Sequence, residues 1–241
     1  PGGPMEPWAT ANHCAILRRG YLELIGIVDA TRFNPWQAYM DRFEGIHIAA
    51  FRCHDADAAY GDLCRRAVDG FDAPVDRQRD APFGEGAQTM KFRNIFSRDE
   101  IHPEGRLNII EHQTPGILWQ DALMRHPNKA VGLEAMFLVA DDDATRDRMQ
   151  AIAGVAANDG KIALPGGGVI EILDPARFAA RFPGVTPPRL PWIAGCVVSV
   201  ADLAAASRLI TGNGVPLTED NGRVWIAPEF ANGGVMEFVP A

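Results

Sequence analysis

Val131-Gly132-Leu133-Glu134-Ala135-Met136-Phe137-Leu138-Val139-Ala140 runs directly into Asp141-Asp142-Asp143 and then a segment carrying Met149, Ile152 and Ala153. Residues 131–140 read as a strand, the aspartates as helix N-caps, and the apolar residues beyond them as one helical face. The pattern is repeated on both sides. Residues 46–54 read as a strand, and Asp55 or Asp57 then caps a helix running to Phe71, with Tyr60, Leu63, Cys64, Ala67 and Val68 on one face. Residues 192–201 read as a strand, and Asp202 caps a helix with Leu203, Ala206, Leu209 and Ile210 on one side. Gly-rich turns and further strands follow each helix. The expected unit is strand–helix–strand–strand–strand, roughly 50–75 residues long, a period that signals internal duplication.

The last strand of each unit holds a carboxylate inside an apolar run: Tyr21-Leu22-Glu23-Leu24-Ile25, Val169-Ile170-Glu171-Ile172-Leu173 and Val235-Met236-Glu237-Phe238-Val239. Leu107-Asn108-Ile109-Ile110-Glu111-His112 has a similar shape with a histidine added. A buried ionised carboxylate is costly unless it is paired or binds a cation. The first unit is incomplete, because residues 9–28 offer its late strands without a preceding strand–Asp–helix. The chain also opens Pro1-Gly2-Gly3-Pro4 with no initiating Met. The expectation is either a chain entered partway through a four-unit protein or a first unit that is naturally short.

With 241 residues, 47% of them hydrophobic, the chain can bury one large core or two small ones. A formal charge of −8, with Lys and Arg scattered, argues against nucleic-acid or anionic-membrane partners. No apolar run approaches the ~20 residues needed to cross a bilayer, and no signal peptide is visible. Cys14, Cys53, Cys64 and Cys196 lie far apart with no Cys-x-x-Cys. They read as reduced thiols of a cytoplasmic protein. Cys53 beside His54 does not make a nucleophile pair, since strand neighbours face opposite sides.

Thr10-Ala11-Asn12-His13, Tyr21-Leu22-Glu23-Leu24-Ile25-Gly26, His112-Gln113-Thr114-Pro115 through Trp119, and His126-Pro127-Asn128, together with the repeat, resemble the glyoxalase-like domain proteins of the vicinal oxygen chelate superfamily. The resemblance implies an α+β fold of repeated βαβββ units. These form two half-open mixed-sheet barrels, residues 1–125 and 126–241. It implies a divalent metal (Zn, Fe, Mn, Ni or Mg) held by His, Gln or Glu on the first and last strands of paired units. It further implies a metal-dependent enzyme acting on a small oxygenated organic substrate, as isomerase or lyase, dioxygenase or epimerase, with the metal as Lewis acid. The alternative is a metal-free binding or sequestering protein of the same fold. No nucleic acid or membrane is expected as partner, and a homodimer is possible.

Carried onto this chain, the resemblance makes Glu23 and His112 the candidate catalytic residues and Glu23, His47 and His112 the candidate metal ligands. Glu111 is the runner-up to His112, because only one of two strand neighbours can face a cavity. Strict counting from Asp55 puts Ile48 rather than His47 in the ligand register, and a bulge would restore His47. Asn12, His13 and Trp119 are candidate pocket residues. In the second half, Glu134, Glu171 and Glu237 match ligand positions, but Gly195 stands where the fourth belongs, which favours a structural or dimerising role there. The stretch Asp72–Gln88 reads as a surface loop that could act as a lid.

Overall fold

The computed structural model describes residues 4–5, 10–220 and 222–241. A first, antiparallel sheet pairs β1 (Pro4–Met5), β2 (Thr10–Ile16) and β3 (Tyr21–Ile27). The short helix α1 (Gln37–Met40) leads into the second unit. That unit is β4 (Ile48–Cys53), α2 (Ala56–Arg65), β5 (Val75–Phe83), β6 (Gly86–Phe96) and β7 (Arg106–His112). Its sheet order is β4-β7-β6-β5, with first and last strands parallel.

After α3 (Pro115–Leu118) come β8 (Ala130–Val139), α4 (Asp143–Ala153), β9 (Lys161–Ala163) and β10 (Val169–Leu173). Helix α5 (Pro175–Arg181) precedes the fourth unit. This comprises β11 (Trp192–Val200), α6 (Leu203–Gly212), β12 (Thr218–Asp220), β13 (Arg223–Ile226) and β14 (Val235–Pro240). Antiparallel pairing of β8 with β11 joins both units into one sheet, ordered β12-β13-β14-β11-β8-β10-β9.

The architecture is the expected α+β repeat, with open sheets and a parallel first–last strand pair in each of the last three units. Asp55, Asp142 and Asp202 each accept a hydrogen bond from a first-turn amide (Ala58 N at 2.9 Å, Thr145 N at 2.7 Å, Ala205 N at 2.9 Å). That is the capping read from the sequence. Two expectations are corrected. The third unit has only two strands after its helix among the described residues. Residues 72–88 are not a lid loop, because Val75–Phe83 and the start of β6 form a paired hairpin. Its Asp and Arg residues alternate across a strand with a half-open face, so polar composition there does not mean coil.

One core lies on the helix side of the sheets. Ala49, Leu63, Ile95 and Leu107 of the second unit pack in one cluster with Leu138, Met149, Ile162 and Ile170 of the third. Arg148 of α4 ties the two units at Glu104 (2.8 Å), which in turn meets the fully buried His102. The opposite, inner faces differ between the two halves, and that difference positions the site.

Candidate functional site

Cross-strand neighbours point to the same face, so the pairings Arg52–Ile110, Asn94–Ile110, Phe92–His112 and Arg79–Met90 define the inner face of the second unit. Ile109 and Leu107, one residue out of phase, face the helix-side core. Sheet β2–β3 lies across this inner face, where Cys14, Ile16 and Tyr21 meet Met90, Phe92, Ile117, Leu118 and Trp119.

His112 reaches this inner face as expected. Its ring is edge-on to Trp119 (4.9 Å between centroids, 88°) and Tyr21 (6.0 Å, 78°). Burial, reinforced by the Arg52 charge, lowers its pKa to about 4, so the imidazole is neutral at pH 7. Its Nδ1 is buried without a hydrogen-bond partner. Because the folded protein resists protonating His112 while the unfolded chain accepts a proton near 6.5, this group removes stability as pH falls from about 6.5 toward 4. Chemical denaturation at pH 5 and pH 7 should therefore show a smaller loss of stability in His112→Gln than in the parent. An equal loss in both would mean that His112 is solvated.

Glu111 turns to the helix side, where its Oε2 accepts from Ala56 N at 2.9 Å at the start of α2. A carboxylate is favoured there by the helix dipole. Asn12, Cys14 and Glu23 share the inward face of β2–β3, with Asn12 donating to Glu23 and Arg79 donating to Asn12 Oδ1 at 3.1 Å. Glu23 is solvent-exposed. His13 pairs with Leu24 on the outer, exposed face of the same sheet, away from the pocket. Trp119 donates from Nε1 to Leu17 O at 3.0 Å and lines a cleft of about 340 Å³ with Arg18, Arg52, Pro115, Gly116 and Met124.

His47 does not join them. It precedes β4, whose register runs from Ile48 opposite Arg106 to Cys53 opposite Glu111, so it sits at the far end of the strand pair from His112. Its Nε2 is 3.0 Å from Phe43 O, and its ring packs on Phe43 at 4.4 Å. No bulge interrupts β4, and the strict count that placed Ile48 in register describes the strand. Among the described residues, no three of His, Cys, Asp and Glu converge as a metal would require. Glu23 and His112 supply at most two donors, and two do not fit the family's four-ligand site.

The C-terminal inner face carries an aromatic cluster and a buried ion pair, beside a cleft of about 390 Å³ lined by Glu171, Leu173, Arg177 and Arg181. Phe178 and Phe182, from α5 and the residue after it, pack against Phe137, Trp192, Trp225 and Val235. Arg181 donates to Glu171 Oε1 at 2.8 Å and to Glu237 Oε2 from both Nε (3.0 Å) and Nη2 (2.9 Å). Its guanidinium also lies 4.6 Å from the centre of the Phe137 ring. The two internal carboxylates of this half are therefore paired by a cation from their own chain. Glu134 stands apart, held by Arg19 and Ser199. Gly195 has no room for a side chain, since a Cβ there would lie 2.0 Å from Val235 O.

Sequence reasoning passed over Arg18, Arg52, Arg79 and Arg181. The signal for Arg181 was the need of buried carboxylates for a cation, which does not say which arginine supplies it.

The fold and site together define a duplicated strand–helix protein with a cleft beside Trp119 in its N-terminal half and carboxylates paired by Arg181 in its C-terminal half. Residues 1–153 match the family described as the glyoxalase-like domain, and the chain belongs to that family. No curated protein matches it. Among solved structures it is similar to a hypothetical protein from Staphylococcus aureus, with a TM-score of 0.68 at 13% identity, over 100% of this chain and 89% of that one. It also overlaps methylmalonyl-CoA epimerase from Mycobacterium tuberculosis (TM-score 0.38, 23% identity, 49% of this chain and 93% of that one). A further overlap is with homoprotocatechuate 2,3-dioxygenase from Arthrobacter globiformis (TM-score 0.43, 12% identity, 81% and 61%). The first likeness, over nearly the whole of both chains, shows that the fold is shared. No helix among the described residues is long and apolar enough to cross a membrane.

Proposed function

We propose that this protein binds a small oxygenated organic molecule on the inner face of its N-terminal half, and that it does so without a metal. The observation that carries this reading is the contrast between halves. The cleft beside Trp119 is flanked by Arg18 and Arg52, which have no carboxylate partner among the described residues, whereas in the C-terminal cleft, about 390 Å³, Arg181 and Arg177 are already paired with Glu171 and Asp159. Residues 1–125 then form the binding half, and residues 126–241 its structural partner.

His112 fits binding better than proton transfer. A base whose conjugate acid has a pKa of about 4 is a weak proton acceptor at neutral pH. The neutral ring of His112 stands edge-on to Trp119 at 4.9 Å and so backs one wall of the cleft. Pro115, Trp119 and Met124 supply the apolar walls that such sites generally have.

The test is a library of small oxygenated compounds, neutral, cationic and anionic, read by NMR at the Trp119 indole N–H and the His112 ring. Binders are expected to shift these two rings and leave Trp192 and Trp225 unmoved. Hits clustered at Trp225 and α5 would overturn the reading. In parallel, protein reconstituted with Zn²⁺, Fe²⁺, Mn²⁺, Ni²⁺ or Mg²⁺ should retain far less than one ion per chain by elemental analysis. One ion per chain, lost in Glu23→Ala or His112→Ala, would restore the metal-dependent enzyme.

A further inference from the structure

The cleft beside Trp119 has a charge character that its place in the fold does not require. Arg52 projects from the inner face of β4, and its guanidinium lies 5.3 Å from the centre of the Trp119 ring. Arg18 is held from the other side, where its backbone N donates to Val131 O at 2.8 Å and Leu133 N donates to the neighbouring Arg19 O at 2.7 Å. Trp119 is fixed between them by its bond to Leu17 O. The positions of all three are thus set by strand pairing or backbone hydrogen bonds.

Neither the Arg18 nor the Arg52 side chain has a carboxylate partner among the described residues, although the chain holds 31 acidic against 23 basic residues. The adjacent Arg19 is paired with Glu134. The inward cation Arg79 is occupied by Asn12. Two guanidiniums that flank one cleft with their donors free present a planar fork suited to a carboxylate. The wall between them is bare at Gly116, where a Cβ would meet nothing within 4 Å. A volume of about 340 Å³ sits at the low end for small-molecule sites. That suits a molecule of one ring or a short chain rather than a large cofactor.

We infer that the ligand of this cleft is a small organic acid, its carboxylate held by Arg52 and Arg18 and its apolar body laid against Trp119 and Met124. This rests on the proposed binding role of the N-terminal half and names the ligand class it takes. The exposed position of both arginines means that salt weakens the grip.

Benzoate and benzamide, and 4-hydroxyphenylacetate and its amide, are matched probes that differ in charge but scarcely in shape. Titrations followed at the Trp119 indole N–H, assigned with Trp119→Phe, should show each acid binding about tenfold more tightly than its amide, the size expected for charge-assisted hydrogen bonds. Added salt should weaken the acids and leave the amides unchanged. Arg52→Gln and Arg18→Gln should each erode the preference for the acid without altering the amide's affinity. Equal binding of acid and amide at Trp119 overturns the inference and leaves the binding role of the N-terminal half standing. A preference for the acid that survives both substitutions also overturns it. If no member of either pair perturbs Trp119 while other library compounds do, the ligand is not an organic acid of this size. If nothing in the library perturbs it, the binding role falls as well.

Discussion

Replacing Arg181 with Met is expected to lower the unfolding free energy by about 3–5 kcal/mol, the usual cost of leaving buried charges without their partner. Glu237 has a side chain 3% exposed and Glu171 one 11% exposed, and Arg181 meets both within 3.0 Å. Lys161, 3.7 Å from Glu171 and with its side chain 56% exposed, is a weak replacement for Arg181. Urea denaturation of parent and variant at neutral pH measures the loss. Adding Glu171→Gln and Glu237→Gln to Arg181→Met should recover much of it, because two neutral amides replace two unpaired anions. A loss below about 1 kcal/mol would place these carboxylates among surface ion pairs and show that they do not depend on Arg181.

Gly195→Ala is expected to cost about 3 kcal/mol, at the upper end for overpacking a core. Its added methyl would meet the Val235 carbonyl oxygen at 2.0 Å, and that atom belongs to the backbone of a paired strand. A backbone carbonyl in a ladder cannot swing aside as a side chain tip can. Thermal unfolding should show the variant well below the parent, while Gly116→Ala, with nothing within 4 Å, should be close to it. A mild effect at Gly195 would show that β11 and β14 can part. The same crowding explains why this position cannot carry a side chain. Here the glycine belongs to the close approach of two strands.

How much of this was legible in advance differs by element. The alternation of Asp-capped helices with apolar strands is local, so Asp55 and Asp202 could be recognised as caps from their neighbours alone. Strand parity was legible too in that only one of Glu111 and His112 could face inward, and the pairing of β7 with β6 and β4 gives that place to His112 and turns Glu111 to the start of α2. His47 shows the limit. Residue type argued for a ligand while counting argued against it, and the pairing of β4 with β7 decides in favour of counting. The hairpin at residues 75–83 was illegible because its charged residues resemble a loop until β6 lies beside them.

The sequence by itself determined that the protein is a repeat of strand–helix units with carboxylates embedded in its closing strands, because caps and side-chain periodicity depend only on residues a few positions apart. It also determined that any of those carboxylates that is buried needs a pairing group or a cation, since burying charge is costly in any fold. Only the tertiary structure decided what answered each of them: Arg181 for Glu171 and Glu237, the Ala56 amide for Glu111 and the Asn12 side chain for Glu23. Arg181 stands 10 and 56 residues away from its two partners. Arg18, Arg52 and Trp119 meet only because separate strands and turns bring them to one cleft. Such meetings are set by sheet pairing over long separations, and no local pattern records them.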